Sequence, residues 1–285
     1  MFLNRLLGVI FIILTMTACD RIEEEVPKKL VIGIVGYEES SLFLEKYSAL
    51  QNYLSTQLKS IVELEATYNE IKALEQITKQ KWDLVFASPG LAAIAIDRHQ
   101  YSPLIPLEGL ETIRSVIAVN ADSRFQENTD LAGETIALGQ EGSATGYYLP
   151  IYNLYGLTFA EVRFAPTPQT SLKWLDSGEV AAAALSLKEF NQYRKNFKNN
   201  RFRIIDIDSH TIPAGAIIIA DKIEPSRKQQ IKFSLSQTPS HIAASARFLP
   251  NEQLYQYQEL IKVIERVSQI AERIKDKPAR LYEPK

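Results

Sequence analysis

The chain has little of what most catalytic chemistry requires. It contains one cysteine in 285 residues, Cys19, so it cannot close an internal disulfide. Its three histidines, His99, His210 and His241, stand far apart, and no HExxH, CxxC or similar metal-ligand spacing occurs. There is no GxSxG elbow for a nucleophilic serine. The glycines at 139, 142 and 146 fit neither GxGxxG nor GxxxxGK[ST], so a nucleotide site has no motif to stand on. Neither sign of charge dominates: 32 Lys and Arg face 34 Asp and Glu, with no basic tract, which argues against a nucleic-acid partner. Acid pairs such as Glu38-Glu39 lie in polar loops and read as solvated charge. These absences point away from an enzyme, a cofactor and a metal.

The first residues, MFLNRLLGVIFIILTMTAC, place Arg5 ahead of an apolar run from Leu6 to Met16 that is too short to span a bilayer as a helix. The pattern predicts an export signal over 1–18. An ordinary cleavage site after Ala18 would put bulky Met16 at the −3 position, where a small residue is preferred. The order Met16-Thr17-Ala18-Cys19 instead resembles a bacterial lipobox, which would make Cys19 the lipid-bearing first residue of an extracytoplasmic protein anchored to a membrane without spanning it. Residues 19–27 then read as the lipidated cysteine and a charged, proline-containing tether.

Beyond the tether the chain is rich in apolar segments. Lys29–Gly36 and Trp82–Gly90 read as buried strands, and Ile61–Tyr68 as an alternating one. Between them Leu44, Tyr47, Leu50, Tyr53, Leu54 and Leu58 recur at helical spacing, and Ile71–Gln80 predicts a second helix. LAAIAI opens a third. A similar alternation comes next: a strand at Ser115–Ser123, a short helix and strand in DLAGETIALG, a helix through Tyr155, AEVRFAP, a helix around Ser171–Leu175 and a strand at Glu179–Leu185. Phe202–Asp208 and Ala214–Asp221 are late strands, and Leu254–Ile274 predicts one long amphipathic helix. The β-α-β alternation calls for parallel α/β sheets, in two lobes with a cleft between them.

In open α/β sheets ligands lie beyond the carboxyl ends of strands. The loops there are Tyr37–Ser41, Ser88–Gly90 and Gly139–Gly146. The last, GQEGSATGYYLP, sets Ser143 and Thr145 among glycines just before an apolar run. Such a stretch caps a helix, and it also offers hydroxyls and N–H groups to an anion.

At DLAGETIALGQEGSATGYYLP the chain resembles the periplasmic substrate-binding proteins of phosphonate/phosphate-type ABC transporters, whose D-L-x-G segment leads to S-T-S-G-[YF]-x-x-P. Here that motif stands as Ser143-Ala144-Thr145-Gly146-Tyr147 with Pro150. The segments ATYNEIKAL, WDLVFASPG, SVIAVNADS, SGEVAAAA and SHTIPAGAII occur in the family's order, so the likeness covers most of the chain. The resemblance implies a two-lobed periplasmic-binding-protein fold, type II-like, with a hinge of two crossovers near Thr112–Val116 and Ile212–Ala216. Lobe 1 would span 28–112 and 215–285, and lobe 2 would span 113–214.

It also implies that Ser143, Thr145 and the N–H groups from Thr145 through Gly146 to Tyr147 grip the phosphorus oxygens, with Tyr68 closing from the other lobe. The departures are specific. The family's middle hydroxyl is Ala144, its hinge tyrosine is Ile113, its cleft histidine falls on Pro168 and the Asp of G-x-V-D-A is Ala181. The two acids that hold the ammonium of an aminoalkyl phosphonate fall on Lys188, next to Glu189, and on Gly215, which argues against such a ligand. Arg114 is a candidate replacement donor or a solvent-facing arginine. His210 could donate to an oxyanion or be incidental, Ser88 could bind or only cap, and Tyr37 and Tyr147 could wall the cleft or simply pack. The implied function is capture of phosphate, phosphite or a simple phosphonate by a monomeric, lipid-anchored protein that delivers it to an ABC permease. The alternative is a ligand-sensing or partner-binding lipoprotein of the same fold.

Overall fold

The computed structural model describes residues 28–36, 40–109, 113–198, 201–210 and 212–283. Cys19 with the export signal and tether, Tyr37 to Glu39 of the first loop, and Thr112 at the first crossover lie outside the described residues.

The first half alternates as the sequence predicts: β1 (Lys29–Val35), α1 (Ser40–Leu58), β2 (Ile61–Thr67), α2 (Glu70–Thr78), β3 (Leu84–Ala87) and α3 (Pro89–Arg98). Next comes a strand that the pattern does not announce, β4 (Tyr101–Pro106). Its prolines, Pro103 and Pro106, read as breakers, but β4 lies at the edge of its sheet, where a missing N–H leaves fewer ladder bonds unmade. The second half runs β5 (Ser115–Asn120), β6 (Thr135–Leu138), a π-helical turn (Ala144–Tyr148), α4 (Leu149–Asn153), β7 (Thr158–Phe159), β8 (Glu161–Phe164), α5 (Pro168–Ser177), β9 (Ala182–Ser186), α6 (Leu187–Tyr193) and β10 (Phe202–Ile207). The chain then returns through β11 (Ala216–Ala220) and ends with α7 (Pro225–Ser236), α8 (Ser240–Ala246), α9 (Gln258–Ser268) and β12 (Ala279–Arg280).

Two five-stranded sheets result, ordered β2-β1-β3-β11-β4 and β10-β5-β9-β6-β8. In each sheet one strand from the far side of a crossover is inserted antiparallel among parallel neighbours: β11 beside β3 in the first, β5 beside β9 in the second. The crossovers touch at an isolated bridge between Ile113 and Ile212. This is the two-lobed α/β arrangement that the resemblance implies.

Two expectations about the C-terminal region need correcting. The single helix over Leu254–Ile274 is shorter, Gln258–Ser268, with a 3-10 turn at Arg273–Lys275 beyond it. Tyr257 is buried with its hydroxyl on the Ala214 carbonyl at 2.8 Å, which holds the chain before the helix starts. At the other end Ser268 turns its Oγ back on the Ile264 carbonyl, a bond that competes with helix continuation. The end of 215–285 also does not stay with the first lobe. β12 pairs antiparallel with β7, and Leu281 exchanges backbone bonds with Gly156 (2.9 Å) and Leu157 (3.0 Å). Ala279 and Leu281 are fully buried there.

The core is continuous between the lobes. Trp82, Leu91 and Ile94 of the first pack in one apolar cluster with Tyr147, Tyr148 and Ile151 of the second, and Leu260, Val263, Ile264 and Val267 of α9 join both.

Candidate functional site

The carboxyl ends of β6, β8 and β9 converge on a small cavity. Gly139 and Gln140 leave β6 into it, Ala165 and Pro166 leave β8, and Ala184 and Leu185 line it from β9. Ser143 and Gly146 close one side from the π-helical turn, and Thr167, Pro168 and Ser171 close another from the start of α5. Glu189 of α6 and Glu70 of α2 complete the wall. The volume is about 10 Å3, on a measure where roughly 10–15 Å3 holds one water.

The loop that opens the site is built by its own short bonds. Gly139 donates its N–H to the Gly146 carbonyl at 2.7 Å, and Ser143 donates its N–H to Gln140. Ser143 is the cap: its Oγ accepts the Gly146 N–H at 3.0 Å, and its carbonyl accepts from Tyr147 and Tyr148. The Ala144 and Thr145 amides thus stand ahead of the turn's first internal bonds. Ser115, buried at the start of β5, donates its hydroxyl to the Thr145 carbonyl at 2.6 Å and fixes the loop on the sheet. Across the cavity Thr167 caps α5, with its Oγ1 accepting the Thr170 N–H. The capped starts of two helical segments therefore border the same cavity, through Ser143 and Gly146 on one side and Thr167, Pro168 and Ser171 on the other.

The first lobe is seated directly on this loop. Gly142 takes a positive φ of +103° and packs against the Glu70 and Leu91 side chains. A Cβ at Gly90, in the first turn of α3, would overlap the Gly142 carbonyl oxygen and lie 2.7 Å from the Ala144 nitrogen. Glycine at both positions is what lets the two backbones meet.

The expected site residues divide. Ser143 and Gly146 line the cavity. Thr145 is buried beside them but engages Ser115 through its carbonyl. Tyr147 belongs to the core, edge-on to Tyr148 at 4.9 Å and tilted against Phe164, and burial pushes its phenol pKa up. Ser88 stands at the start of α3, makes no cap bond and leaves its buried Oγ unpaired. Tyr68 is 50 % exposed and is not brought to the cavity. Arg114 is exposed and also lies off it. His210 sits at the second crossover, where buried Asp208 accepts its backbone N–H (2.6 Å), faces its Nδ1 at 3.0 Å and takes a bond from Asn153.

One expectation about charge is corrected. Lys188 is exposed, but the next residue, Glu189, lines the cavity, because a capping box turns it back over the start of α6: Ser186 donates its N–H and Oγ–H to Glu189 Oε2 at 2.9 and 2.7 Å. Burial raises the Glu189 pKa against the opposing effect of the Ser186 bonds. Glu70 brings a second acid from the other lobe, 5 % exposed. Two carboxyl side chains therefore line the cavity, where the positions matched to the family hold Lys188 and Gly215. The sequence reading also misses Gln140, Thr167 and Ser171. The Ser186-x-x-Glu189 spacing and the Thr167-Pro168 pair were the available signals.

A model of the family described as ABC transporter, phosphonate, periplasmic substrate-binding protein matches residues 32–251. The chain belongs to that family. Solved structures agree on the fold. XAC2383 of Xanthomonas citri, in its ATP-bound form, superposes with a TM-score of 0.71 at 19 % identity over 85 % of this chain and 98 % of its own. PhnD1 of Prochlorococcus marinus, in complex with methylphosphonate, gives 0.67 at 19 % identity over 86 % and 100 %. A binding protein component of an ABC phosphonate transporter from Pseudomonas aeruginosa gives 0.63 at 13 % identity over 87 % and 98 %. Among the described residues no helix is long and apolar enough to cross a membrane, and no group of His, Cys, Asp and Glu is placed to hold a metal.

Proposed function

We propose that this member of the phosphonate-binding family captures a small phosphorus oxyanion, such as phosphate, phosphite or a simple phosphonate, for an ABC importer, from a membrane to which Cys19 anchors it. The supporting observation is the cavity at the carboxyl ends of β6, β8 and β9, which the Ser143–Gly146 turn and the start of α5 both face. The lobes meet at that cavity, so a ligand held by Ser143 and the loop amides would favour the closed form, and closure is the state a permease would read. The family's model and the methylphosphonate complex of a relative with the same fold support the ligand class.

A specific observation favours a second reading, a sensor or partner-binding lipoprotein that feeds no transporter. The cavity has room for about one water, and Glu70 from the first lobe forms part of its wall.

Calorimetry and thermal shift separate the two readings on a chain beginning at Arg21, freed of carried-over ligand by unfolding and refolding. A ligand at a hundred times its Kd adds about 2.7 kcal/mol, a rise of a few degrees for a chain of this size. Binding of a phosphorus oxyanion that Ser143→Ala abolishes is the expected result. Silence from phosphate, phosphite and methylphosphonate in a well-folded chain would move the sensor reading to first place. Release from membranes by Cys19→Ala tests the anchor separately.

A further inference from the structure

The end of the first lobe opposite the cleft is basic, and the tether enters there. β1, β2 and β3 run parallel, so the entry to β1 and the turns from α1 to β2 and from α2 to β3 all lie at the amino ends of these strands. Each brings lysine to that end: Lys28 and Lys29 at the entry, Lys59 in the first turn, Lys79 and Lys81 in the second, all exposed. β11 runs antiparallel and finishes there, and Lys222 beyond it reaches Asp83 at 3.4 Å. The acids of this end are already engaged. Glu63 holds Lys29 at 2.7 Å, Asp221 holds Lys228 at 2.7 Å, and Glu224 accepts the Arg227 N–H at the start of α7. Lys59, Lys79 and Lys81 make no ion pair among the described residues. Ile61, opposite Lys29 in the ladder, is 50 % exposed at the same end. The whole chain carries a formal net charge of −2, so this excess of positive charge is local.

We propose that this lysine face rests on the anionic headgroups of the bilayer that holds Cys19. The proposal takes the anchor from the reading above and adds an orientation to it. Nine peptide steps separate Cys19 from Lys28, a reach of no more than about 32 Å. A lipid on Cys19 therefore keeps this end of the molecule close to the surface. The attraction of a charged surface fades within a Debye length, about 8 Å at physiological ionic strength, so only a face that touches the bilayer feels it. Each lysine at an anionic surface strengthens association about fivefold, and Ile61 offers an apolar side chain to the headgroup layer. The strands run from this face to the cleft, so the posture turns the cleft away from the bilayer, toward the solvent from which a ligand arrives.

The test is flotation of the chain beginning at Arg21, which has no lipid of its own, with vesicles of phosphatidylglycerol and of phosphatidylcholine. The chain should float with the anionic vesicles at low ionic strength, leave them as salt rises, and ignore the neutral ones. Lys59→Gln, Lys79→Gln and Lys81→Gln together should weaken that binding on the order of a hundredfold, at about fivefold per charge. All three side chains are exposed, so the melting temperature should hold. Lys173→Gln, Lys195→Gln and Lys198→Gln, exposed on the second lobe, remove the same charge and should leave binding as it was. Equal losses from the two triple variants, or equal binding to both kinds of vesicle, would overturn the proposed face. Failure to float with either would overturn it as well and leave the anchor standing, since release by Cys19→Ala tests the anchor independently.

Discussion

Replacing Gly90 by alanine should open the molecule without unfolding it. The added methyl group would lie 2.7 Å from the Ala144 nitrogen and closer still to the Gly142 carbonyl, where contacts under 3.0 Å are essentially never tolerated by a real Cβ. Both obstacles are backbone atoms of a loop held by the Gly139–Gly146 and Ser115–Thr145 bonds, so no side-chain rotation relieves the overlap. Within its own lobe the change is harmless, since Gly90 lies in the first turn of α3 and alanine favours a helix by up to about 1 kcal/mol. The strain of overpacking, about 1–3 kcal/mol, therefore falls on the contact between lobes. An energy of that size shifts a two-state equilibrium roughly 5–150-fold. Calorimetry should show the preferred anion losing affinity within that range and small-angle scattering a larger radius of gyration, with the melting temperature falling by a few degrees because the strained contact adjoins the core that both lobes share. The scattering arm needs no ligand. An unchanged radius and unchanged affinity would refute the idea that this backbone contact defines the closed form.

Other substitutions probe single links. Ser115→Ala removes the hydroxyl that holds the Thr145 carbonyl and should cost about 1–3 kcal/mol in denaturant melts, because a buried acceptor is left unpaired. Leu281→Ala cuts a fully buried side chain at the β12–β7 pairing and should cost about 2–5 kcal/mol. Glu189→Gln should change the pH profile of stability. The Glu189 pKa is raised above its ordinary value of 4.5, so the folded chain holds this proton more tightly than the unfolded one, and the stability it contributes is lost as pH rises from the ordinary carboxylate range through the raised value. Melting temperatures of native and variant chains across that window should show the native falling behind on the alkaline side. Parallel profiles would mean that Glu189 ionises without penalty.

The fold was legible because its signals are local and repeated. Apolar strands such as Lys29–Val35 alternate with helical spacing twice over, and two-lobed α/β packing is the consequence of that pattern. β4 escaped notice because Pro103 and Pro106 are strand breakers everywhere except at an edge, and an edge is a property of the sheet rather than of the segment. α7 presents almost no amphipathic stripe to read. At the site, Ser143 and Gly146 were legible from the loop itself, whereas Thr167, Ser171 and Gln140 come together only when three strands end at one place. Glu189 was missed by one residue: matching positions to the family pointed at Lys188, and the capping box decides which of the two faces inward. Tyr68 and Arg114 show the converse, residue types suited to an anion that the backbone turns toward solvent.

The apolar cluster shared by α3, the π-helical turn, α4 and α9 makes one side of the molecule a spine. Parting the lobes along that face would expose Leu91, Tyr148 and Ile264 together, so the closed form is held there by buried apolar area. A fluorophore pair at exposed Tyr68 and Lys188, one on each lobe, would report any change in their separation and would turn this protein into a reporter of its own occupancy.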